Sequence, residues 1–345
     1  MVLSRMVGAR VRRKEDPRLI QGTSTYVDDV HLTGMLHVAF YRSPYPHAKI
    51  NGIDTSQAAA MPGVVAVLTA QDLKGLLNYT EASSGEGEAP TIDQQIPTPQ
   101  FFPMAIDKVR HVGEAVVAVV AETPYAARDA VDAVQVDFEP LPAVTDPERA
   151  MADGAPQLYD ELKNNIALRW GHKQGDVDAA FQNAPVTVKQ RIRNHRVAGI
   201  PMETRGVVAM PDSMTSGLTF WTSTQAPHWN RRDVAEMLGL GQHEVRAIAP
   251  QVGGGFGVKI GSYPEDFILS AIAYHLKRPV KWIETRTENF QATHQGRDQI
   301  ADIEVAADKD GKILGYRLHI IQDQGAYPKD TSLAILTATM AVPCY

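Results

Sequence analysis

The stretch Gln251-Val-Gly-Gly-Gly-Phe-Gly-Val-Lys259 combines four glycines with one aromatic residue, and it restricts the fold more than any other part of the sequence. Glycine lacks a Cβ and adopts φ > 0 at little cost, so successive N–H groups of this stretch are expected to converge on an oxygen-rich or anionic group. Phe256 then supplies a flat apolar wall beside that group. The competing interpretation is a glycine-rich surface turn without a ligand.

This stretch does not match the phosphate-binding loops of nucleotide enzymes. A dinucleotide fingerprint that starts at Gly253 needs a third glycine where Val258 stands, and one that starts at Gly255 needs it at Ile260. A P-loop needs Ser or Thr after Lys259, where the sequence again has Ile260. These mismatches disfavour a free-standing nicotinamide or flavin enzyme.

Composition indicates an ordinary globular chain without a charge signature. The 345 residues, 44% hydrophobic and 21% charged, suffice for about two domains. The net charge of -6 predicts no nucleic-acid or membrane surface. No run is apolar enough to span a bilayer, and the basic residues from Arg10 to Lys14 are followed by Glu15-Asp16-Pro17 rather than by the apolar segment of a secretory signal.

Cysteine content restricts the chemistry further. Cys344 is the single cysteine, so this chain alone cannot build a disulfide, a cysteine-rich zinc site or an iron–sulfur cluster. Any electron relay must therefore lie on another chain. We expect a cytoplasmic protein in which Cys344 is a small, partly buried apolar residue.

Local patterns predict helices mixed with strands, which is an α+β or mixed α/β fold. Predicted strands cover Leu36 to Arg42, Val64 to Leu68, Ala115 to Ala121, Val134 to Phe138, Leu218 to Thr222, Val245 to Ala249, and a hairpin of Ile303 to Ala307 with Ile313 to Ile320 joined at Asp310-Gly311. Predicted helices are one capped by Thr123 with Pro124 at its first position, one through Val234, Met237 and Leu238 that Gly239 ends, and one from about Pro264 to Lys277.

Proline and glycine content divides the chain. Residues 80–103 are rich in Glu, Ser, Gly and Pro, which predicts a long solvated loop. The passage Glu139-Pro140-Leu141-Pro142, with Pro147 and Pro156 beyond it, is typical of an interdomain linker. We therefore divide the sequence into an N-terminal arm (1–18), a first domain (19–140), a linker (141–160) and a second domain (161–345).

Ordered motifs along most of the chain resemble the molybdopterin-binding large subunit of the xanthine dehydrogenase and aerobic carbon monoxide dehydrogenase family. The first region looks like that family's α/β hammerhead domain, and the second is similar to the first part of its molybdenum-cofactor-binding domain. The motifs that carry the resemblance are Tyr26-Val27-Asp28-Asp29, Gly34-Met35-Leu36-His37, Arg42-Ser43-Pro44, His47-Ala48, Met61-Pro62-Gly63-Val64-Val65, Gly113-Glu114-Ala115, Phe138 to Pro142, Thr222-Ser223-Thr224-Gln225, Gly253 to Gly257 and Asp323 to Tyr327.

The resemblance implies a molybdenum cofactor held through the dithiolene of a pterin, in bacteria often the cytosine dinucleotide form, with no direct protein ligand to the metal. Gln225 matches the glutamine whose side-chain amide contacts an oxo ligand of molybdenum. An amide suits this role because its NH₂ group donates without adding charge. The residues that match the pterin-contacting loop are Gly254, Gly255, Phe256 and Gly257.

Several polar residues keep alternative interpretations. Gln225 could instead cap the helix that follows it. Glu203 is either a carboxylate near the substrate channel or a partner of Arg205 or another basic residue with a structural role only. His228 is interpreted as a packing or hydrogen-bonding residue. A polar cluster before the hairpin is interpreted as structural or as part of an interface; it comprises His294, Arg297 and Asp298.

Two departures from the family pattern bear on substrate. Purine-oxidising members have an acidic residue after the lysine of the glycine loop, where this chain has Ile260, so a purine substrate is disfavoured. Thr204 stands where many members have proline, which leaves the local geometry open. The resemblance then implies carbon monoxide, a small aldehyde or an N-heterocycle as substrate, with electrons passing to a [2Fe-2S] small subunit and an FAD-binding medium subunit.

The family also has a substrate-side loop and a catalytic glutamate base, both of which we expect beyond Tyr345. Either a longer gene product or a second polypeptide would then complete the site, and the isolated chain is expected to be inactive. The alternative hypothesis is a non-catalytic fragment or scaffold paralogue that keeps partner binding without molybdenum chemistry.

Overall fold

The computed structural model describes residues 8–78, 80–81, 96–97, 99–212 and 217–327. In chain order the strands are β1 Leu36–Arg42, β2 Ala48–Asp54, β3 Val64–Thr69, β4 Thr80–Glu81, β5 Gln100–Phe101, β6 Lys108–Val109, β7 Ala115–Ala121, β8 Gln135–Pro140, β9 Val186–Asn194, β10 Val197–Ala198, β11 Gly206–Pro211, β12 Leu218–Thr222, β13 Val245–Ile248, β14 Val280–Ile283, β15 Gln295–Gly296, β16 Gln299–Ala307 and β17 Ile313–Gln322. The α-helices are α1 Asp16–Ile20, α2 Ser56–Ala59, α3 Ala70–Leu73, α4 Pro124–Asp132, α5 Pro147–Ala150, α6 Val177–Asn183, α7 Pro227–Leu238, α8 Pro264–Leu276 and α9 Arg286–Ala292, with 3₁₀ turns at Val27–Asp29, Lys163–Asn165 and Gln242–Glu244.

One mixed sheet of seven strands is the largest in the described part of the chain, with the order β13-β12-β11-β14-β1-β7-β3. Strand β1 lies between β7, with which it is antiparallel, and β14, with which it is parallel through the pair Leu36↔Val280. Strands β1, β3 and β7 come from the first sequence region and the other four from the second. The two regions therefore share one continuous sheet.

Strand β7 separates two hydrophobic cores. Ala118 and Val120 point into a core formed with β1, β11, α7 and α8, whereas Val117 and Val119 point into a second core formed with α2, α4, β2 and β8. All seven residues of β7 are buried. This explains why its sequence reads as an uninterrupted apolar run rather than as an alternating one.

Helix α4 confirms the predicted cap. The Thr123 side chain accepts a hydrogen bond from the Ala126 N–H at 3.1 Å, and Pro124 occupies the first helical position. Pro124 suits that position because its missing N–H would have had no partner within the helix.

We expect Thr123→Ala to lower the free energy of unfolding by about 1 kcal/mol, because the N-terminal amide of α4 loses its acceptor. Urea denaturation followed by circular dichroism measures the loss. Thr123→Ser retains the hydroxyl and serves as the matched control. An equal loss in both variants would contradict a capping role.

The two long helices of the second region end where the sequence predicts. Gly239 ends α7 in the left-handed conformation at φ +67°, and Lys277 does the same for α8 at φ +53°. Residues from Glu265 to Ala273 are buried without interruption, so α8 is a central helix rather than an amphipathic surface helix. It packs on β11 and β14 and brings two acidic residues, Glu265 and Asp266, into the protein interior.

The predicted hairpin is present as β16 and β17, and β9 adds a third strand on the other side of β16. Gly311 adopts φ +86° in the connecting turn, as expected for an Asp-Gly turn. Helix α6 packs closely on this three-stranded sheet, because a Cβ on Gly315 would lie only 3.0 Å from Cβ of Ala180. No prediction from the sequence had assigned β9.

One prediction about an irregular segment was wrong in part. The end of the expected solvated loop is not solvated: Pro103 is buried, and Phe101 and Phe102 pack against the first core. Within the proposed linker, Asp146 caps the single helical turn of α5 by accepting from the Arg149 N–H at 2.9 Å. Residues 82–95 and 98 of that loop, together with Cys344, lie outside the described residues. We keep 19–140, 141–160 and 161–345 as a proposed division of the chain.

A membrane-spanning helix is not found in the described ranges, where every helix is too short or too polar to cross a bilayer.

Candidate functional site

One edge of the large sheet gathers the polar segments that the sequence singled out. Strands β12 and β13 are parallel neighbours with the pair Trp221↔Ile248 near their ends, so the segments that follow them leave the sheet side by side. Gln225 follows β12, and the glycine loop, residues 251–259, follows β13. Strand β11 is antiparallel to β12, so Glu203, which precedes β11, lies at the same edge. Crevices at the carboxyl ends of parallel strands are common ligand sites in such sheets.

Gln225 is held by the glycine loop through both its backbone and its side chain. Its N–H donates to the Lys259 carbonyl at 2.9 Å, and its Oε1 accepts from the Gly257 N–H at 3.0 Å. The side chain is exposed, and within the described residues its Nε2 has no hydrogen-bond partner. Gln225 does not cap α7, whose N-cap is Ala226. The amide NH₂ group is therefore available to a ligand.

The glycine loop depends on its glycines for close packing and for unusual backbone angles. Gly254 and Gly257 adopt φ +101° and φ +85°, and Phe256 itself has φ +50°. A Cβ on Gly255 would lie 2.5 Å from Cδ of Gln225, and one on Gly253 would lie 2.5 Å from Cβ of Glu203. The loop backbone thus packs directly on these two side chains.

Phe256 forms the outer surface of the loop. It is 73% exposed, which is unusual for a phenylalanine beside a buried helix and sheet. The amides of Gly253 and Gly257 donate to Glu203 and Gln225, so these two N–H groups are not available to a ligand. Among the described residues, no acceptor is found for the amides of Gly254, Gly255 and Phe256.

Glu203 joins the loop to the end of β12. Its Oε2 accepts from Ser223 Oγ at 2.7 Å, from the Gly253 N–H at 2.8 Å and from Lys259 Nζ at 3.0 Å. The basic partner of Glu203 is thus Lys259 and not Arg205. The Lys259 side chain is fully buried, and burial lowers its pKa, an effect that the Glu203 carboxylate only partly offsets.

Directly beneath this edge lies a buried ionic network. Arg205 donates to Glu265 at 2.7 Å and to Glu284 at 2.6 Å, and its guanidinium lies 3.9 Å from the centre of the Tyr263 ring. Arg42, from the first region, donates to the other oxygen of Glu265 at 2.7 Å. Burial alone would raise the pKa of Glu265, but the two arginines outweigh it and hold that pKa far below its usual value.

The remaining predicted residues lie outside the glycine loop. His228 is exposed on the first turn of α7. His294 stacks between Tyr263 and Tyr327, with ring centres 4.5 Å and 4.1 Å away. Asp298 pairs with Arg196 at 3.1 Å. These contacts agree with the structural interpretation of the cluster before the hairpin. In the described part of the chain, no group of three or more His, Cys, Asp and Glu residues is arranged to hold a metal ion.

Sequence reasoning assigned no role to Lys259 or Ser223. Both occur within motifs that were recognised, but nothing in the local pattern indicates that their side chains turn inward to Glu203. The spacing between Glu203 and Lys259 is set by the sheet, which brings the start of β11 beside the end of β13 across β12.

Two family models match the chain. Residues 21–142 match the aldehyde oxidase and xanthine dehydrogenase a/b hammerhead domain, and residues 158–345 match the molybdopterin cofactor-binding domain.

Similar proteins agree with both matches. The carbon monoxide dehydrogenase large chain of Afipia carboxidovorans is 42% identical over 93% of this chain, and the nicotine 6-hydroxylase large subunit of Paenarthrobacter nicotinovorans is 40% identical over 99% of it. The crystal structure of quinoline 2-oxidoreductase from Pseudomonas putida 86 superposes with a TM-score of 0.85 and 36% identity, covering 93% of this chain and 40% of that one. The chain also spans 40% of the length of each of the two sequence relatives.

Proposed function

Since the chain belongs to the molybdopterin-binding large subunits of the xanthine dehydrogenase and aerobic carbon monoxide dehydrogenase family, we propose that it supplies one wall of a molybdenum site in an oxidoreductase. Phe256 and the neighbouring glycines, Gly254, Gly255 and Gly257, would contact the pterin. Gln225 would donate from Nε2 to an oxo ligand of the metal.

A single observation carries this proposal: the Gln225 amide is fixed at its oxygen and free at its nitrogen, beside an exposed aromatic ring. The Gly257 N–H donates a hydrogen bond to Oε1 of Gln225, which determines the orientation of the side-chain amide. Nε2 is then the group that faces a ligand. Phe256 offers a flat apolar surface of the kind that a pterin ring packs against. A neutral donor and a bare glycine backbone fit a bulky, oxygen-rich cofactor.

When bound, the molybdenum cofactor would supply the redox chemistry that removes electrons from the substrate. The residues of this chain would bind and orient it. Gln225 fixes one ligand position by a neutral hydrogen bond, which leaves the net charge at the site unchanged. The glycine loop excludes water from the pterin face that it covers.

The form of the cofactor is proposed to be the cytosine dinucleotide, which fits the similarity to carbon monoxide dehydrogenase large chains. Electrons would pass to an iron–sulfur small subunit and an FAD-binding medium subunit.

Substrates are proposed to be carbon monoxide, a small aldehyde or an N-heterocycle. Two similar proteins are named for the oxidation of nicotine and quinoline, both of which contain nitrogen rings. The role of Glu203 near a substrate path stays a prediction.

The test is to co-express the chain with the products of neighbouring genes and to measure molybdenum and pterin in the purified assembly. We expect about one of each per chain, and we expect Gln225→Ala to lower kcat by about 10-fold to 100-fold without loss of assembly. Gln225→Glu keeps the side-chain volume but lacks the donating NH₂ group. It therefore separates the loss of the hydrogen-bond donor from the loss of volume in Gln225→Ala.

A folded assembly without molybdenum and pterin would contradict the proposed function. Full activity in both Gln225→Ala and Phe256→Ala, with assembly unchanged, would instead favour the alternative of a scaffold that binds partners without molybdenum chemistry.

A further inference from the structure

Lys259 ends the partly exposed glycine loop, and its side chain is completely buried. Its Nζ donates to the Glu203 backbone carbonyl at 2.9 Å and to Glu203 Oε2 at 3.0 Å. An ammonium group loses its hydration when it is buried, so it is retained only where acceptors replace the lost water. The two acceptors here belong to one residue, so Lys259 ties the end of the loop specifically to Glu203.

Glu203 in turn ties together three separate segments. Its Oε2 accepts from Ser223 at the end of β12, from the Gly253 N–H at the start of the loop and from Lys259 at the loop's end. Its Oε1 is buried and has no partner within the described residues. The position of the carboxylate therefore depends on the contacts of a single oxygen, and Lys259 is the cation among those three donors.

The same loop segment holds Gln225. The Lys259 carbonyl accepts from the Gln225 N–H at 2.9 Å, and Gly257, two residues earlier, donates to the Gln225 side chain at 3.0 Å. A Cβ on Gly253 would lie 2.5 Å from Cβ of Glu203, so no space separates the loop from that side chain. A shift of Lys259 would consequently move both the carbonyl that holds the Gln225 backbone and the Gly257 N–H that orients its side-chain amide.

We propose that Lys259 and Glu203 are positioning residues, which close the glycine loop on Gln225 and hold its amide toward the metal's oxygen ligand. This inference rests on the proposed function. It assigns Lys259 no contact with substrate or cofactor: the lysine acts through the loop backbone and Gln225.

The competing explanation is that Lys259 contributes only to general stability, as any buried ion pair does. The chain offers a matched control in Lys281, whose side chain is 5% exposed and pairs with Asp28 at 2.8 Å. Lys281 lies on β14 within the sheet and does not contact the glycine loop. Lys281→Met therefore removes a comparable buried cation without touching Gln225.

The first test is a double-mutant cycle in the purified, molybdenum-loaded assembly. We expect Lys259→Met to lower kcat by about 10-fold to 100-fold, as for other residues that orient a cofactor contact. In a background of Gln225→Ala, the same change should lower kcat by no more than about 2-fold, because the group that it positions is already absent. Lys281→Met should leave kcat within about 2-fold of the parent enzyme.

The second test follows amide hydrogen exchange in peptides that cover residues 251–259 of the same assembly. Lys259→Met and Glu203→Gln should each speed exchange at Gly253 and Gly257 by about 10-fold, since local opening of the loop becomes easier, whereas Lys281→Met should not. Unchanged exchange in the Lys259 variant, or full additivity with Gln225→Ala, would overturn the inference. An assembly that lacks molybdenum and pterin would defeat the proposed function, while hydrogen exchange would still decide whether Lys259 and Glu203 hold the loop.

Discussion

Arg205→Met should destabilise the protein by about 3 to 5 kcal/mol, the range found when one partner of a buried ion pair is removed. Arg205 is 5% exposed and donates to Glu265 and to Glu284, which are themselves almost completely buried. Methionine fills much of the same volume but leaves two carboxylates short of a cation. The free energy of unfolding, measured by urea denaturation at pH 7, tests the expected loss.

The variant should also change the acid sensitivity of the protein. Burial opposes the charged form of Glu265, but Arg205 and Arg42 outweigh it and lower the carboxyl pKa in the folded state. A carboxyl group with a lowered folded-state pKa contributes stability above its unfolded-state pKa, which is about 4.3, and loses it as the pH falls through the folded-state value. The parent protein should therefore lose stability steadily below about pH 4.3, and Arg205→Met should lose less over the same range because its Glu265 has one cation fewer.

A surface ion pair provides the control for this prediction. Arg191 pairs with Glu148 at 2.6 Å, and the two side chains are 50% and 46% exposed. Arg191→Met should cost less than about 1 kcal/mol, because solvent screens exposed pairs. Adding Glu284→Gln to Arg205→Met should recover part of the lost stability by removing one unpaired charge. A loss in Arg205→Met as small as that in Arg191→Met would show that the network does not stabilise the fold.

The elements that local sequence determines were predicted with nearly the observed boundaries. Strand β7 is an apolar run between turn residues, and α4 begins at a threonine followed by proline, so each carries its own signal. Pairing between distant segments carries no such signal. The parallel pair of β1 with β14 joins residues from opposite parts of the chain, and β14 has only four residues, from Val280 to Ile283. Local periodicity therefore could not indicate that the two regions share one sheet.

In the candidate site, too, features with a local sequence signal were predicted and contacts between distant segments were not. The four glycines and the phenylalanine within residues 251–259 identified the loop. The family resemblance then implied that Gln225 contacts the same cofactor as the loop. The inward turn of Lys259 toward Glu203 could not be read from the sequence, because a lysine after a glycine-rich stretch is normally interpreted as solvated. Only the alignment of β11, β12 and β13 at one edge makes this buried pair possible.

Gly255→Ala should lower kcat of the loaded assembly by roughly 100-fold, the loss that a misplacement of about 1 Å can cause. The added Cβ would lie 2.5 Å from Cδ and 2.6 Å from Cγ of Gln225, so the side chain must move away. It would then lose the hydrogen bond from the Gly257 N–H, which fixes the orientation of its amide. Steady-state kinetics, together with molybdenum and pterin content, measure the effect.

Gly296→Ala is the matched control for this change. A Cβ on Gly296 meets nothing within 4 Å, and its φ does not lie in the left-handed region, so activity and stability should both be retained. Gly255 lies in a loop and not in a hydrophobic core. The melting temperature of Gly255→Ala should therefore stay close to that of the parent protein, while its kcat falls. A variant that melts normally and retains full activity would mean that the amide of Gln225 does not need the position in which the glycine loop holds it. A clear fall in melting temperature together with the fall in kcat would instead trace the loss to unfolding of the loop.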